Sequence, residues 1–171
     1  MTGRSATHSY LHLIDANVLI DAERDYYPMD QVPQFWEWLE NQGAANLIKI
    51  PLEIYEEVSH GDYDLPKWLR RAAAKKALIL DEEVDPVLVQ RVLSVGYASD
   101  LDDAEILQVG ADPFLIAYAL SNPDSRCVVS GEASAPRKQR ANRKVPDVCA
   151  DVGVLCKGKF KLTADLGFTA R

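Results

Sequence analysis

Cysteine, histidine and long apolar runs are all scarce in this chain. Its three cysteines, Cys127, Cys149 and Cys156, are odd in number and form no CxxC pair. That argues against a disulfide framework and fits reduced thiols in a cytoplasmic protein. The histidines His8, His12 and His60 have no partner at zinc-ligand spacing, so neither a zinc cage nor histidine-based RNase chemistry is expected. No apolar run approaches the roughly 20 residues that span a bilayer, so no membrane association is expected. The opening MTGRSATHS lacks the apolar core of a secretory signal. Residues 1–9 read as a disordered leader or a cloning remnant. There is no glycine-rich phosphate loop. A positive charge excess is also absent: 19 basic residues face 26 acidic ones, a net charge of −7. That opposes nonspecific nucleic-acid binding, which rests on phosphate neutralisation.

What is present suffices for one domain over 10–171. A chain of 171 residues buries roughly 70% of its unfolded surface. Short apolar runs at 10–14, 47–50, 126–130 (RCVVS) and 154–156 read as strands. Between them lie helical patterns at 35–40 (FWEWLE), 52–61, 65–77, 85–95, 101–109, 114–120 and 146–152, with a terminal helix at 160–166. Pro51 and Pro66 suit helix first turns. Strands alternating with helices predict a parallel sheet covered on both faces. In such folds ligands bind at the carboxyl ends of the strands.

Four acids stand beside those ends or at helix starts: Asp15 in LIDANVLID, Glu57 in LEIYEEVSHG, Asp112 in GADPFLIAYAL and Glu132 in VVSGEAS. Each lies in or next to apolar sequence, where an unpaired carboxylate is costly to keep ionised. Gathered carboxylates hold a proton or a cation, and a hard cation such as Mg²⁺ or Mn²⁺ suits oxygen ligands. The chain thus reads as a metal-dependent phosphodiesterase. Asp15 and Asp112 are the expected direct ligands, and also the residues most easily read as helix caps. Glu57 is preferred to Glu56 as the inward residue of its helix. Glu132 and Asp147 compete for the fourth position, since Asp147 also reads as a first-turn helix acid. Asn17 and Ser130 are expected to orient ligands. Asp102, Asp103 and Glu105 read as a solvated helix start.

One segment breaks the acidic character. Arg137, Lys138, Arg140, Arg143 and Lys144 lie together with no acid among them. They read either as a solvated loop or as an RNA-contacting arm, mobile until phosphate binds. The FWEWLE stretch carries Phe35, Trp36, Trp38 and Leu39, more than one helical stripe. Its surplus predicts an interface, either in a homodimer or with a partner chain.

Together these residues resemble the PIN-domain ribonuclease family from Leu13 to about Cys156. Leu13-Ile14-Asp15-Ala16-Asn17 looks like its opening motif, and Glu57 like its second-helix glutamate. Ala111-Asp112-Pro113-Phe114-Leu115-Ile116-Ala117 resembles its A-D-x-x-I-A. Val128-Val129-Ser130-Gly131-Glu132 is similar to a motif that more often reads T-x-D. Tyr26-Tyr27-Pro28, the FWEWL helix, the stretch from Asp112 to Ala119 and Pro146-Asp147-Val148-Cys149 are closer still to a PIN-like bacterial subgroup. The resemblance implies a three-layer α/β/α sandwich with a central, mainly parallel sheet. It also implies a Mg²⁺- or Mn²⁺-dependent endoribonuclease, often the toxin of a toxin–antitoxin pair, with RNA and an antitoxin protein as partners. Two rival readings are a catalytically silent PIN-like binding module and a phosphatase-like hydrolase with an aspartate nucleophile. The second usually needs another aspartate where Asn17 stands.

Overall fold

A computed structural model of the chain describes residues 9–170. The expected leader therefore lies, apart from Ser9, outside the described residues. Strand β1 (Leu11–Ile14) runs into α1 (Ala16–Asp21), and a wider π-type turn follows at Ala22–Tyr26. Next come α2 (Pro33–Ala44), β2 (Ile48–Lys49), α3 (Leu52–Val58), α4 (Asp64–Leu69) and α5 (Ala72–Leu78). Helix α6 (Pro86–Arg91) continues as a second π-type turn, Val92–Tyr97. Helices α7 (Asp103–Val109) and α8 (Asp112–Leu120) lead into β3 (Arg126–Ser130). A 3-10 turn at Arg140–Asn142 precedes α9 (Val145–Val152), β4 (Cys156–Gly158) and α10 (Lys159–Asp165).

The four strands pair in parallel in the order β2-β1-β3-β4. Leu13, Ile14, Val128 and Val129 have no exposed surface. Successive strand residues point to opposite faces, so their uninterrupted burial requires helices on both sides of the sheet. The architecture is the expected three-layer α/β/α sandwich. Helix α8 is apolar nearly all round, and a helix of that kind belongs inside. Leu115, Ile116, Ala117 and Ala119 are at most 1% exposed.

The strand order fixes where a ligand belongs. From β1 the chain crosses to β2 on one side, and from β3 it crosses to β4 on the other. The connections diverge between β1 and β3, which opens a crevice at their carboxyl ends. Asp15 and the Ser130–Glu132 turn occupy those two ends. His12, the polar residue inside β1, is satisfied locally. Its Nδ1 lies 2.9 Å from the Leu47 carbonyl and its Nε2 3.1 Å from Lys157 Nζ. Burial holds its pKa below the usual histidine value, so it stays neutral.

Several boundaries differ from expectation. The 65–77 helix is two helices, α4 and α5, with Arg71 extended between them. Arg70 Nη1 donates to the carbonyls of Ser59 and Gly61, which ties the end of α4 to the end of α3. Pro51 precedes α3 rather than entering its first turn. The last strand begins at Cys156, not Val154. Gly153 ends α9 in the left-handed region, and Val154 N still bonds the Cys149 carbonyl. The surplus aromatics of α2 do not form an outward surface. Phe35 and Trp36 are buried, while Trp38 packs on Phe35 and Phe168 at 5.6 and 5.3 Å between centroids. The aromatic reason for expecting an interface there is gone.

Helices α2 and α5 meet at Gly43. A Cβ there would lie 2.6 Å from both the Ala77 carbonyl oxygen and Leu78 Cδ2. Alanine ordinarily stabilises a helix by roughly 0.5–1 kcal/mol over glycine. Here the clash with backbone reverses the sign. Gly43→Ala is expected to destabilise the fold by about 1–3 kcal/mol, measured by urea unfolding. A stabilised variant would contradict this close approach.

Candidate active site

Asp15 follows β1 directly and is 2% exposed. It stands where a helix cap would, yet makes no cap hydrogen bond. Its carboxylate instead accepts a 3.0 Å hydrogen bond from Ser130 Oγ. Ser130 Oγ in turn accepts the Glu132 backbone N–H at 3.1 Å. One serine therefore bridges the β1 and β3 ends and shapes the turn that presents Glu132. The Glu132 carboxylate accepts the Val145 N–H, at the start of α9, at 2.8 Å. Glu57 accepts the Ala111 N–H, just before α8, at 3.0 Å. Asp112 opens α8 itself. Ser130, singled out in the sequence, is thus the side chain hydrogen-bonded to Asp15. The Asn17 backbone N–H lies near enough to lower the Asp15 pKa without the geometry of a cap hydrogen bond.

These acids act on one another. Burial, then the charges of Glu132 and Glu57, push the Asp15 pKa up to about 6 against the Ser130 hydrogen bond. Burial, then Asp15, Glu132 and Glu57, push Asp112 up to about 8, with Lys144 opposing. The four acids expected from the sequence thus form one electrostatic group. Asp147 lies apart from it. Its carboxylate accepts from Ser134 Oγ and from the Ala135 N–H, and these bonds hold its pKa below the usual range. Asp147 fastens the segment after β3, and Glu132 is the one of the two whose charge acts on Asp15 and Asp112. Glu56 is exposed, while Glu57, although also exposed, is the residue that reaches Ala111. Asp102 and Glu105 form a reciprocal capping box on α7.

Beside Asp112 and Glu132 lies a cavity of about 190 Å³, also lined by Tyr97, Gln108, Lys138 and Lys144. Tyr97 was not expected. It is 8% exposed and its hydroxyl has no hydrogen-bond partner. Burial, then the charges of Asp112 and Glu132, drive its pKa far up, so the hydroxyl remains a donor. No sequence signal marks it, because it meets the acids only through the π-type turn that ends α6.

The basic segment is not the loose arm expected. Asp147 ties down one end, Ala141 is buried, and Gln108 Nε2 donates to Asn142 Oδ1 at 2.7 Å. Arg140 is spent on Asp100 and Glu105, and Arg143 on Asp151. Their charges are neutralised within the protein. Lys138 and Lys144 face the acidic cavity, and Arg137 is exposed beside them.

A family of domains of unknown function, DUF4411, matches residues 12–170. The chain belongs to that family. No curated protein and no solved structure matches it. All four acids, Tyr97 and the basic segment lie within the matched stretch.

The donor set of this DUF4411 domain suits a hard divalent cation. Its acids supply oxygen atoms only, and two of them are driven toward neutrality by burial and mutual repulsion. Among the described residues, no three His, Cys, Asp or Glu side chains stand close enough together to cage an ion. That spacing does not fit a zinc cage. Mg²⁺ needs fewer protein ligands than zinc, since it takes one or two carboxylates directly and keeps several waters.

The raised carboxyls have a consequence for stability without metal. Both folded pKa values exceed the unfolded value near 3.8. Between about pH 4 and pH 8 these two carboxyls therefore bind more protons in the folded domain than in the unfolded chain, and their contribution to stability falls as pH rises. Asp112→Asn is expected to raise the Tm in EDTA, by more at pH 8 than at pH 5. The scale is roughly 2–4 °C per kcal/mol of relieved repulsion. An unchanged Tm at pH 8, measured by scanning calorimetry, would contradict the electrostatic grouping.

Proposed function

We propose that this DUF4411 domain is a divalent-cation-dependent ribonuclease. One observation carries the reading: Asp15, Glu57, Asp112 and Glu132 form a single electrostatic group at the crevice between β1 and β3. The resemblance of these same residues to PIN-domain ribonucleases supports it independently. Asp15 and Asp112 hold the cation, and Glu57 and Glu132 hold its waters. When bound, a divalent cation acidifies a water and relieves charge at a scissile phosphate. Ser130 keeps the Asp15 carboxylate in place for that role. The protonated, unpartnered Tyr97 hydroxyl is the donor available to a substrate oxygen in the cavity. Lys138 and Lys144 offset the acidic body where the phosphates arrive.

The rival readings fare worse. A phosphatase-like hydrolase commonly needs a second aspartate two residues after the nucleophile, where this chain has Asn17. A silent binding module gains nothing from a costly group of repelling acids.

The test is Mn²⁺-dependent cleavage of single-stranded RNA. Asp15→Asn and Asp112→Asn are expected to lose at least about 100-fold in rate, the scale of one electrostatic group at a reacting centre. Asp147→Asn should stay within a few-fold of wild type. Wild-type rates from either of the first two variants would overturn the assignment. Binding divides the basic segment further. Changing Arg137, Lys138 and Lys144 to Gln is expected to cut the salt slope of RNA binding by about 2, at roughly 0.7 per lost phosphate contact. Arg140→Gln and Arg143→Gln should leave that slope unchanged, because their charges are already paired.

A further inference from the structure

A second feature adjoins the acidic edge from the side away from the basic wall. Tyr26, at the end of the turn after α1, and Phe160, in the first turn of α10, are 43% and 55% exposed. Their rings meet edge to face, with centroids 5.1 Å apart and planes at 90°. In that geometry the edge of one ring meets the face of the other, so each ring keeps at least one face that its partner does not cover. Lys159 Nζ sits 4.4 Å from the Tyr26 centroid and 5.6 Å from that of Phe160. It is also 3.0 Å from Asp21 Oδ2. Lys159 is therefore a strut that fixes the ring pair, with its own charge balanced.

Continuity ties the pair to the acids. Gly158, just before Lys159, is the β4 partner of Ser130 on β3. A Cβ on Gly131 would lie 3.0 Å from Asp21 Oδ2, the same oxygen that holds Lys159. The Ser130–Glu132 turn thus has the acidic cavity on one flank, through Glu132, and the ring pair on the other, through Gly131. Local charge also matters to a polyanion. Arg24 and Lys159 balance Asp21 and Asp25, so this patch is neutral on a chain of net charge −7.

Area limits what can sit there. Two half-exposed aromatic rings offer on the order of 200 Å². A stable protein interface takes about 800 Å² per partner. One unstacked base, or two, matches the patch better. We propose that Tyr26 and Phe160, braced by Lys159, form a base-stacking platform that makes this domain selective for single-stranded RNA. This rests on the ribonuclease reading for its ligand, but it concerns binding and not chemistry.

The test is fluorescence anisotropy with a short labelled single-stranded RNA and a duplex of equal length, in EDTA so that no cleavage occurs. Tyr26→Ala and Phe160→Ala are expected to weaken single-strand binding by about fivefold or more, the low end of what one stacked base contributes. Duplex binding should change little, and Phe160→Trp should restore single-strand affinity. Circular dichroism should report an intact fold, since both rings are surface groups. Unchanged single-strand affinity in both alanine variants overturns the platform, and so does a wild-type domain that binds no RNA. A shift in light-scattering mass on removing the rings, without loss of RNA binding, assigns them to contact between copies and also overturns it. Cleavage with Mn²⁺ separates the two ideas. Ring-dependent binding without cleavage keeps the platform and sinks the ribonuclease. Cleavage with ring-independent binding does the reverse.

Discussion

Repulsion among the carboxylates gathered around the buried Asp15 at the β1–β3 crevice is the constraint on which the rest of the molecule depends. A raised carboxyl costs about 1.4 kcal/mol per pKa unit once it is ionised. A domain has only about 5–15 kcal/mol of net stability in all. Asp15 and Asp112 are both raised, one to about 6 and the other to about 8. The fold tolerates them as a partly protonated pair, or ionised around a cation. Their neighbours are arranged accordingly. Glu57 and Glu132 each take a backbone N–H at the entry to a helix, which steadies them at the rim. Ser130 locks the most buried acid to the opposite strand end.

The segment after β3 turns this repulsion into a shaped site. Asp147 fastens its start, and the Arg140 and Arg143 ion pairs fasten its end. Between those anchors, Lys138 and Lys144 are left on the cavity wall. Positive charge therefore reaches the site without a large basic surface. On the other flank of the same turn, neutral aromatic surface replaces charge.

Much of this was legible in the sequence because it depends on local pattern. LHLI and RCVVS are short, largely apolar runs, as strands buried on both faces are. Asp15 and Asp112 stand out because each interrupts or adjoins such apolar sequence. The choice between Glu132 and Asp147 was not legible. It turns on which of them meets the start of α9 and which folds back on Ser134 and Ala135. Nor were the fates of the arginines, since Arg140 finds Asp100 and Glu105 at separations of 40 and 35 residues. Five basic residues look alike in a sequence, and only tertiary partners divide them into struts and contacts. Tyr97 and the helix break at Arg70 were hidden for the same reason. Each is set by a contact with a distant element and leaves no local signature.

The central claim is that a divalent cation replaces a proton shared among these acids. Isothermal titration of the metal-free domain with Mn²⁺, near pH 7 in two buffers of different ionisation enthalpy, tests it most directly. The account predicts saturable binding, with a measurable fraction of a proton released per ion and an affinity that rises with pH. It also predicts that Asp112→Asn abolishes the release. Binding without proton release, or no binding at all, would contradict the account.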